Sequence, residues 1–241
     1  MFRVNQLLLL CLFLVLLSAL KTPAHEDAIE NTEFSFKNYV DVHLPAQTYK
    51  NVSLSYLYFV RVSADTQTHI GSKFKRINAD RTNFTIDMSN CELNYFTAFG
   101  CIFTFHQKNF IQNQIHYNNV RFTESSRHID GFYANLIARR VRWQNNYFEN
   151  VTFINVDFAR NNFKGVTFKD VVFIDCNFKN VNFRNAKFQN VQMNLSNYKR
   201  VSFRDATIED SNFANANLMK VRFKGTTFKT SYINGEEYNG V

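Results

Sequence analysis

The chain has 241 residues, of which 27 are Phe but only 7 Gly and 2 Pro, and it carries a formal charge of +8. That length and a 45% hydrophobic content suffice for a full core, in one elongated domain or two small ones. Four Cys, one of them in an N-terminal apolar run, exclude a dense, even-numbered disulfide framework, and no Gly-rich phosphate loop is present.

Residues 1–24 read as a secretory signal. Arg3 makes a short basic region, residues 7–17 are unbroken apolar, and small residues follow at Ser18, Ala19 and Ala24. Cleavage fits after Ala19 or after Ala24. The alternative is an uncleaved membrane anchor, although residues 7–20 are short for the roughly 20 residues of a spanning helix. Removing residues 1–24 takes away Arg3 and Lys21 and leaves a charge of +6. An exported, periplasmic or secreted protein of that charge suits an anionic polysaccharide, a lipid surface or an acidic protein.

Residues 25–73 form a polar lead-in with one strand. Val52, Leu54, Tyr56, Tyr58, Val60 and Val62 alternate with polar residues, the pattern of a half-buried strand. Residues 74–140 carry a worn five-residue beat. Phe74, Ala79 and Phe84 keep one phase, and Met88, Leu93, Ala98 and Phe103 a second, shifted by one. The beat fails between Gln107 and Gly131, where Lys108, Asn113, Asn118 and His128 occupy the central positions, and the polar run 123–131 reads as a protruding loop.

From Phe148 to Ile233 a large residue returns every fifth position, eighteen times without a break. Neither the helical period of 3.6 nor the strand period of 2 produces this. Two residues before most centres stands a small or β-branched residue, such as Val166, Val171, Cys176 and Val181. Two residues after stand Asn, Asp or Gly, such as Asn155, Gly165, Asp170 and Asn180. Three residues of alternating burial and two that bend the chain make a very short strand followed by a turn. Repetition coils the chain into a solenoid. The regular block spans 141–235, and residues 236–241 are a tail.

Units such as Val-Thr-Phe-Lys-Asp (166–170), Val-Asn-Phe-Arg-Asn (181–185) and Ala-Asn-Leu-Met-Lys (216–220) resemble the pentapeptide-repeat family, with Phe at most centres. The resemblance implies an all-β, right-handed quadrilateral β-helix, four units to a coil, with Phe163, Phe183, Phe203 and Phe223 stacked as one core column. Charge supports a four-sided coil. Alternate ten-residue windows starting at 157 hold ten basic residues, namely Arg160, Lys164, Lys179, Arg184, Lys199, Arg200, Arg204, Lys220, Arg222 and Lys224, against two acidic ones. The intervening windows hold three basic and six acidic residues. A basic side made of those ten residues is the candidate surface for an anionic partner.

No catalytic, cofactor or metal constellation emerges, so the chain reads as a non-catalytic exported interaction scaffold. Cys91, Cys101, His106 and His116 share the five-residue phase but match no short zinc motif. Ser126, His128 and Asp130 lie too close in sequence for a nucleophile–base–orienter set. Cys91 and Cys101 could pair in an oxidising compartment. Asn51, Asn83, Asn150 and Asn194 fit the glycosylation triplet, which matters only in a eukaryotic host. The second reading is a structural rod that assembles end to end, with a homodimer through the C-terminal coil. A DNA-mimicking, topoisomerase-protecting role, as in the family's quinolone-resistance members, fits poorly, because mimicry needs an acidic cytoplasmic rod.

Overall fold

The computed structural model describes residues 28–238; the signal segment lies outside the described residues. Strands, and no helix, form among them, and they join into one continuous sheet. Every ladder is parallel except the last, where Ser231–Ile233 turns back on Glu236–Tyr238. The chain winds as a four-sided β-helix whose walls we label A to D in the order the chain visits them. Wall A centres on the inward column Phe34, Leu54, Phe74, Leu93, Gln112, Tyr133, Phe153, Phe173, Met193, Phe213 and Ile233. Its eleven members mark ten coil-to-coil steps, about 48 Å at the usual strand spacing.

Two kinds of corner make the square. After the inward residues of walls A, B and D, the residue two positions on adopts the left-handed region, with non-Gly φ between 46° and 58°. Between walls C and D the regular coils use a type II turn. Val166, Ala186, Ala206 and Thr226 donate N–H to the carbonyls of Phe163, Phe183, Phe203 and Phe223 at 3.0–3.2 Å. The third turn residue has positive φ and is Gly165, Asn185, Asp205 or Gly225.

The core is a set of aromatic ladders. Phe163, Phe183, Phe203 and Phe223 stack with centroids 5.1–5.3 Å apart, and Trp143 precedes them. Phe148, Phe168 and Phe188 form a second ladder at 5.2–5.3 Å. Burial of each Phe contributes on the order of 2–3 kcal/mol, largely offset by ordering of the chain.

The worn half is the same helix with slipped register. Phe84 pairs with Phe103 and Phe103 with Phe122, steps of 19 residues. The next step, Arg121 to Arg142, takes 21, and steps of 20 follow. All the gains and losses fall at the corner between walls C and D. That corner is one residue short at 84–88 and at 103–107, and one residue long at 122–128.

Several expectations are corrected by this register. Gln107, Gln112 and Tyr117 are the inward residues, and Lys108, Asn113 and Asn118 face outward. The run 123–131 is no protruding loop: Glu124 and Ser125 make the extra-residue turn, and Arg127–Arg139 is a strand. Among the described residues the solenoid is already formed at Ile29, inside the supposed lead-in, with Phe34, Tyr39, Leu44 and Tyr49 as inward residues. Residues 52–62 are not one half-buried face, because Tyr56 turns the chain in the left-handed region and leaves Tyr58 exposed. The tail supplies a strand, Glu236–Tyr238.

Candidate functional site

Where the coils slip, polar side chains enter the core. Gln107 and His128 are neighbours in the inward column of wall D, and Gln112 and Tyr133 in that of wall A. Tyr133 Oη lies 2.8 Å from His128 Nδ1 and donates at 3.1 Å to Gln107 Oε1, and Tyr117 Oη donates to Gln112 Oε1 at 2.9 Å. Gln107 Nε2, Gln112 Nε2, His128 Nε2 and Trp143 Nε1 are buried without a protein partner. Burial lowers the pKa of His128 to about 3, helped by the charge of His106, and burial alone does the same to His69. This cluster is closed off from solvent and offers no entry for a substrate.

The other sequence candidates do not converge. Cys91 and Cys101 are unpaired and point into the core, whereas His106 and His116 face solvent. Burial pushes both thiols up. Buried Ser126 receives the Phe105 N–H at 3.1 Å, His128 turns to Tyr133, and Asp130 accepts from Asn150 at 2.9 Å. Among the described residues no group of three or more His, Cys, Asp or Glu could hold a metal ion.

The ten basic residues fall on walls B and C. Arg160, Arg200 and Lys220 occupy the left-handed corner between them. Lys179 and Lys199 precede that corner on wall B, and Arg222 follows it on wall C. Lys164, Arg184, Arg204 and Lys224 each hold the second position of a type II turn, one above another. Arg184 pairs with Asp205 at 3.1 Å; it is the only one of the ten with an ion pair among the described residues. Wall D differs, since Lys169 pairs with Glu149, Lys229 approaches Glu209 at 3.8 Å, and Asp170 accepts from Asn190.

The register adds residues that lie before the sequence windows. Arg140 stacks directly over Arg160 in the corner column, Arg139 lies beside it, and Arg121 and Arg142 are successive on wall C. One further window back, 137–146 holds Arg139, Arg140 and Arg142 and no acid, so the signal was present in the sequence. At the C-terminal end of this edge, a cleft of about 250 Å³ is lined by Arg200, Val201, Ser202, Lys220 and Arg222. A larger open hollow of about 640 Å³ on residues 214–217, Asn234 and Gly235 has no ionisable group in its lining.

Residues 146–223 match the family model described as a pentapeptide repeat region. No curated protein matches the chain. Among solved structures it is similar to HetL, a pentapeptide repeat protein involved in heterocyst differentiation regulation from the cyanobacterium Nostoc. Identity is 11%, with 93% of this chain and 98% of that one covered and a TM-score of 0.40. It is also similar to the A-module of the mannuronan C-5 epimerase AlgE4 from Azotobacter vinelandii, at 8% identity, 86% and 84% coverage and a TM-score of 0.51. Full-length QnrB1, a plasmid-mediated fluoroquinolone resistance protein, matches at 11% identity, 80% and 94% coverage and a TM-score of 0.23. At such identities the likeness is one of fold.

Proposed function

We propose that this chain, whose residues 146–223 are a pentapeptide-repeat region, is a non-catalytic, exported interaction scaffold whose basic side meets an anionic partner. The observation that carries this reading is the partition of charge around the square. From Arg121 onward, cations recur coil after coil on walls B and C with few acids beside them, while walls A and D of the same coils together hold at least as many acids as cations, and Lys169 and Lys229 face Glu149 and Glu209. A solvated face kept only for solubility has no need of that segregation, whereas a surface for an anion does. The outer walls are flat or convex, the two hollows lack convergent acid–base groups, and the buried His128 cluster is sealed, which supports binding rather than catalysis.

Retention on heparin across a salt gradient tests the reading. The chain should bind at low salt and elute as salt rises, and Arg184→Glu with Arg204→Glu should move elution to lower salt. No retention at low salt, or elution unchanged in the double variant, would refute it. Export is tested by locating the expressed protein and sequencing its mature N-terminus; a cytoplasmic protein beginning at Met1 would overturn that part.

A further inference from the structure

We propose that the edge where walls B and C meet is a track for a linear acidic polysaccharide, lying along the rod with about one carboxylated or sulfated ring per coil. The inference rests on the basic-side reading above and names its ligand.

The first argument is conformational. Left-handed corners are cheap for Asn, Asp and Gly and cost other residues on the order of 1 kcal/mol each. The corner after wall D follows that rule through Asn150, Asp170, Asn190 and Asp210, at φ of 49–53°, whereas the corner after wall A breaks it with mostly uncharged residues, among them Phe36, Tyr56, Tyr95, Gln114 and Leu195. At the corner between walls B and C the same backbone carries Arg140, Arg160, Arg200 and Lys220, at φ of 54–58°. Asn119 and Asn180 in that column show that Asn fits there too. Like charges one coil apart also repel. None of these four side chains has an ion pair or hydrogen bond among the described residues, unlike Arg61 and Arg81 earlier in the same column, which pair with Asp41 and Asp80, so no polar contact within the fold offsets either cost. What sets the B–C corner apart is that from Arg140 on every residue breaking the rule is a cation, as an anionic partner outside the fold would require.

The second argument is the cleft. Asn162 and Asn182 form an amide ladder on wall C, with Asn182 Nδ2 donating to Asn162 Oδ1 at 3.0 Å. Ser202 ends it. Its short side chain leaves the hollow between Arg200, Lys220 and Arg222, where an anionic group could sit below the surface.

Geometry selects the partner. Each coil from Arg121 to Arg222 puts at least one cation at the edge, through Arg121, Arg142, Arg160, Lys179, Arg200 and Arg222, one coil or about 4.8 Å per step. A flat bilayer meets one wall at a time and leaves the charges of the other unused. Phosphates along a DNA strand recur at about 3.4 Å and wind around the duplex, out of step with a straight edge. A chain of acidic sugar rings linked end to end advances by about the height of one coil.

The test is binding of the full chain to sulfated oligosaccharides of graded length, from disaccharide to dodecasaccharide, beside phosphatidylserine vesicles and duplex DNA of matched charge. Affinity should climb with sugar length until the oligomer spans the edge and then level off. Arg160→Glu with Arg200→Glu should weaken it roughly tenfold or more. Ser202→Asn, which extends the amide ladder into the cleft, should weaken it without lowering the melting temperature. Lys187→Glu with Lys229→Glu on wall D, the same change in net charge, should leave it unaltered. Affinity independent of length, or an equal loss from the wall D pair, overturns the track. Preference for vesicles or DNA over sugar overturns the polysaccharide and leaves the basic-side reading standing. Failure to bind any polyanion at low salt overturns both.

Discussion

The coils from Phe148 onward and those between Phe84 and Trp143 share one backbone plan and differ in what fills it. In the first, Phe sits on Phe at about ring-stacking distance, as in Phe153 over Phe173 at 4.8 Å. In the second, Gln107, Gln112 and His128 take inward positions and leave side-chain nitrogens without protein partners. The difference lies at one corner. A type II turn between walls C and D can lose or gain a residue, and the parallel ladder re-registers the chain on the next wall. The solenoid therefore tolerates slips in length so long as inward residues still meet inward residues, and the quality of the core declines before its path does.

The sharpest break in that comparison is Phe183→Asp. A carboxylate inside an unbroken aromatic ladder should cost more than about 4 kcal/mol in a denaturant titration, enough to unfold the neighbouring coils. A smaller but still large effect is expected from Gly131→Ala in the slipped region. There an added Cβ would stand 2.0 Å from the Phe110 ring, and relief by shifting the ring should cost about 1–3 kcal/mol. A melting temperature unchanged in that variant would mean that these coils are not packed as described.

Acid should separate the two regions next. His69 and His128 lie in the early coils with folded pKa values of about 3, below the unfolded value near 6.5, because burial disfavours their charged forms. Between those limits the unfolded chain binds more protons. Their contribution is therefore present above about pH 6.5 and lost as pH falls towards about 3. Gln107→Met, His128→Phe and Tyr133→Phe together remove the network without orphaning the Tyr133 hydroxyl and extend the Phe148 ladder backwards, and should raise the melting temperature at neutral pH and flatten its fall in acid. A lower melting temperature at neutral pH would show that the polar cluster stabilises the fold. The smallest effect should come from Arg184→Ser, one residue from Phe183 but on the outer surface: at most about 0.5 kcal/mol. Equal losses from Phe183→Asp and Arg184→Ser would contradict the inward assignment.

Legibility in the sequence followed the same division. Eighteen unbroken centres make the regular coils readable, and the twenty-residue charge period already separates two adjacent walls from the other two. A one-residue loss at 103–107 shifts every later centre, so a reader holding the old phase finds Lys108 and Asn113 where Gln107 and Gln112 belong. The first coils escaped for another reason. Phe34, Tyr39, Leu44 and Tyr49 keep the beat, but Thr32, Lys37 and Gln47 stand two residues before three of them and hide the apolar pair. On the edge, the side chains were readable but the left-handed strain beneath them was not, since period alone does not say which corner bends which way.

That strain makes one measurement decisive for a basic edge retained for binding. Arg140→Asn, Arg160→Asn, Arg200→Asn and Lys220→Asn together place at four corner positions the residue type that the backbone prefers. The expected result is a melting temperature raised by several degrees, from relieved strain and repulsion, together with retention on an acidic polysaccharide moved to clearly lower salt. A lower melting temperature with retention unchanged would assign those cations to the fold and contradict the account.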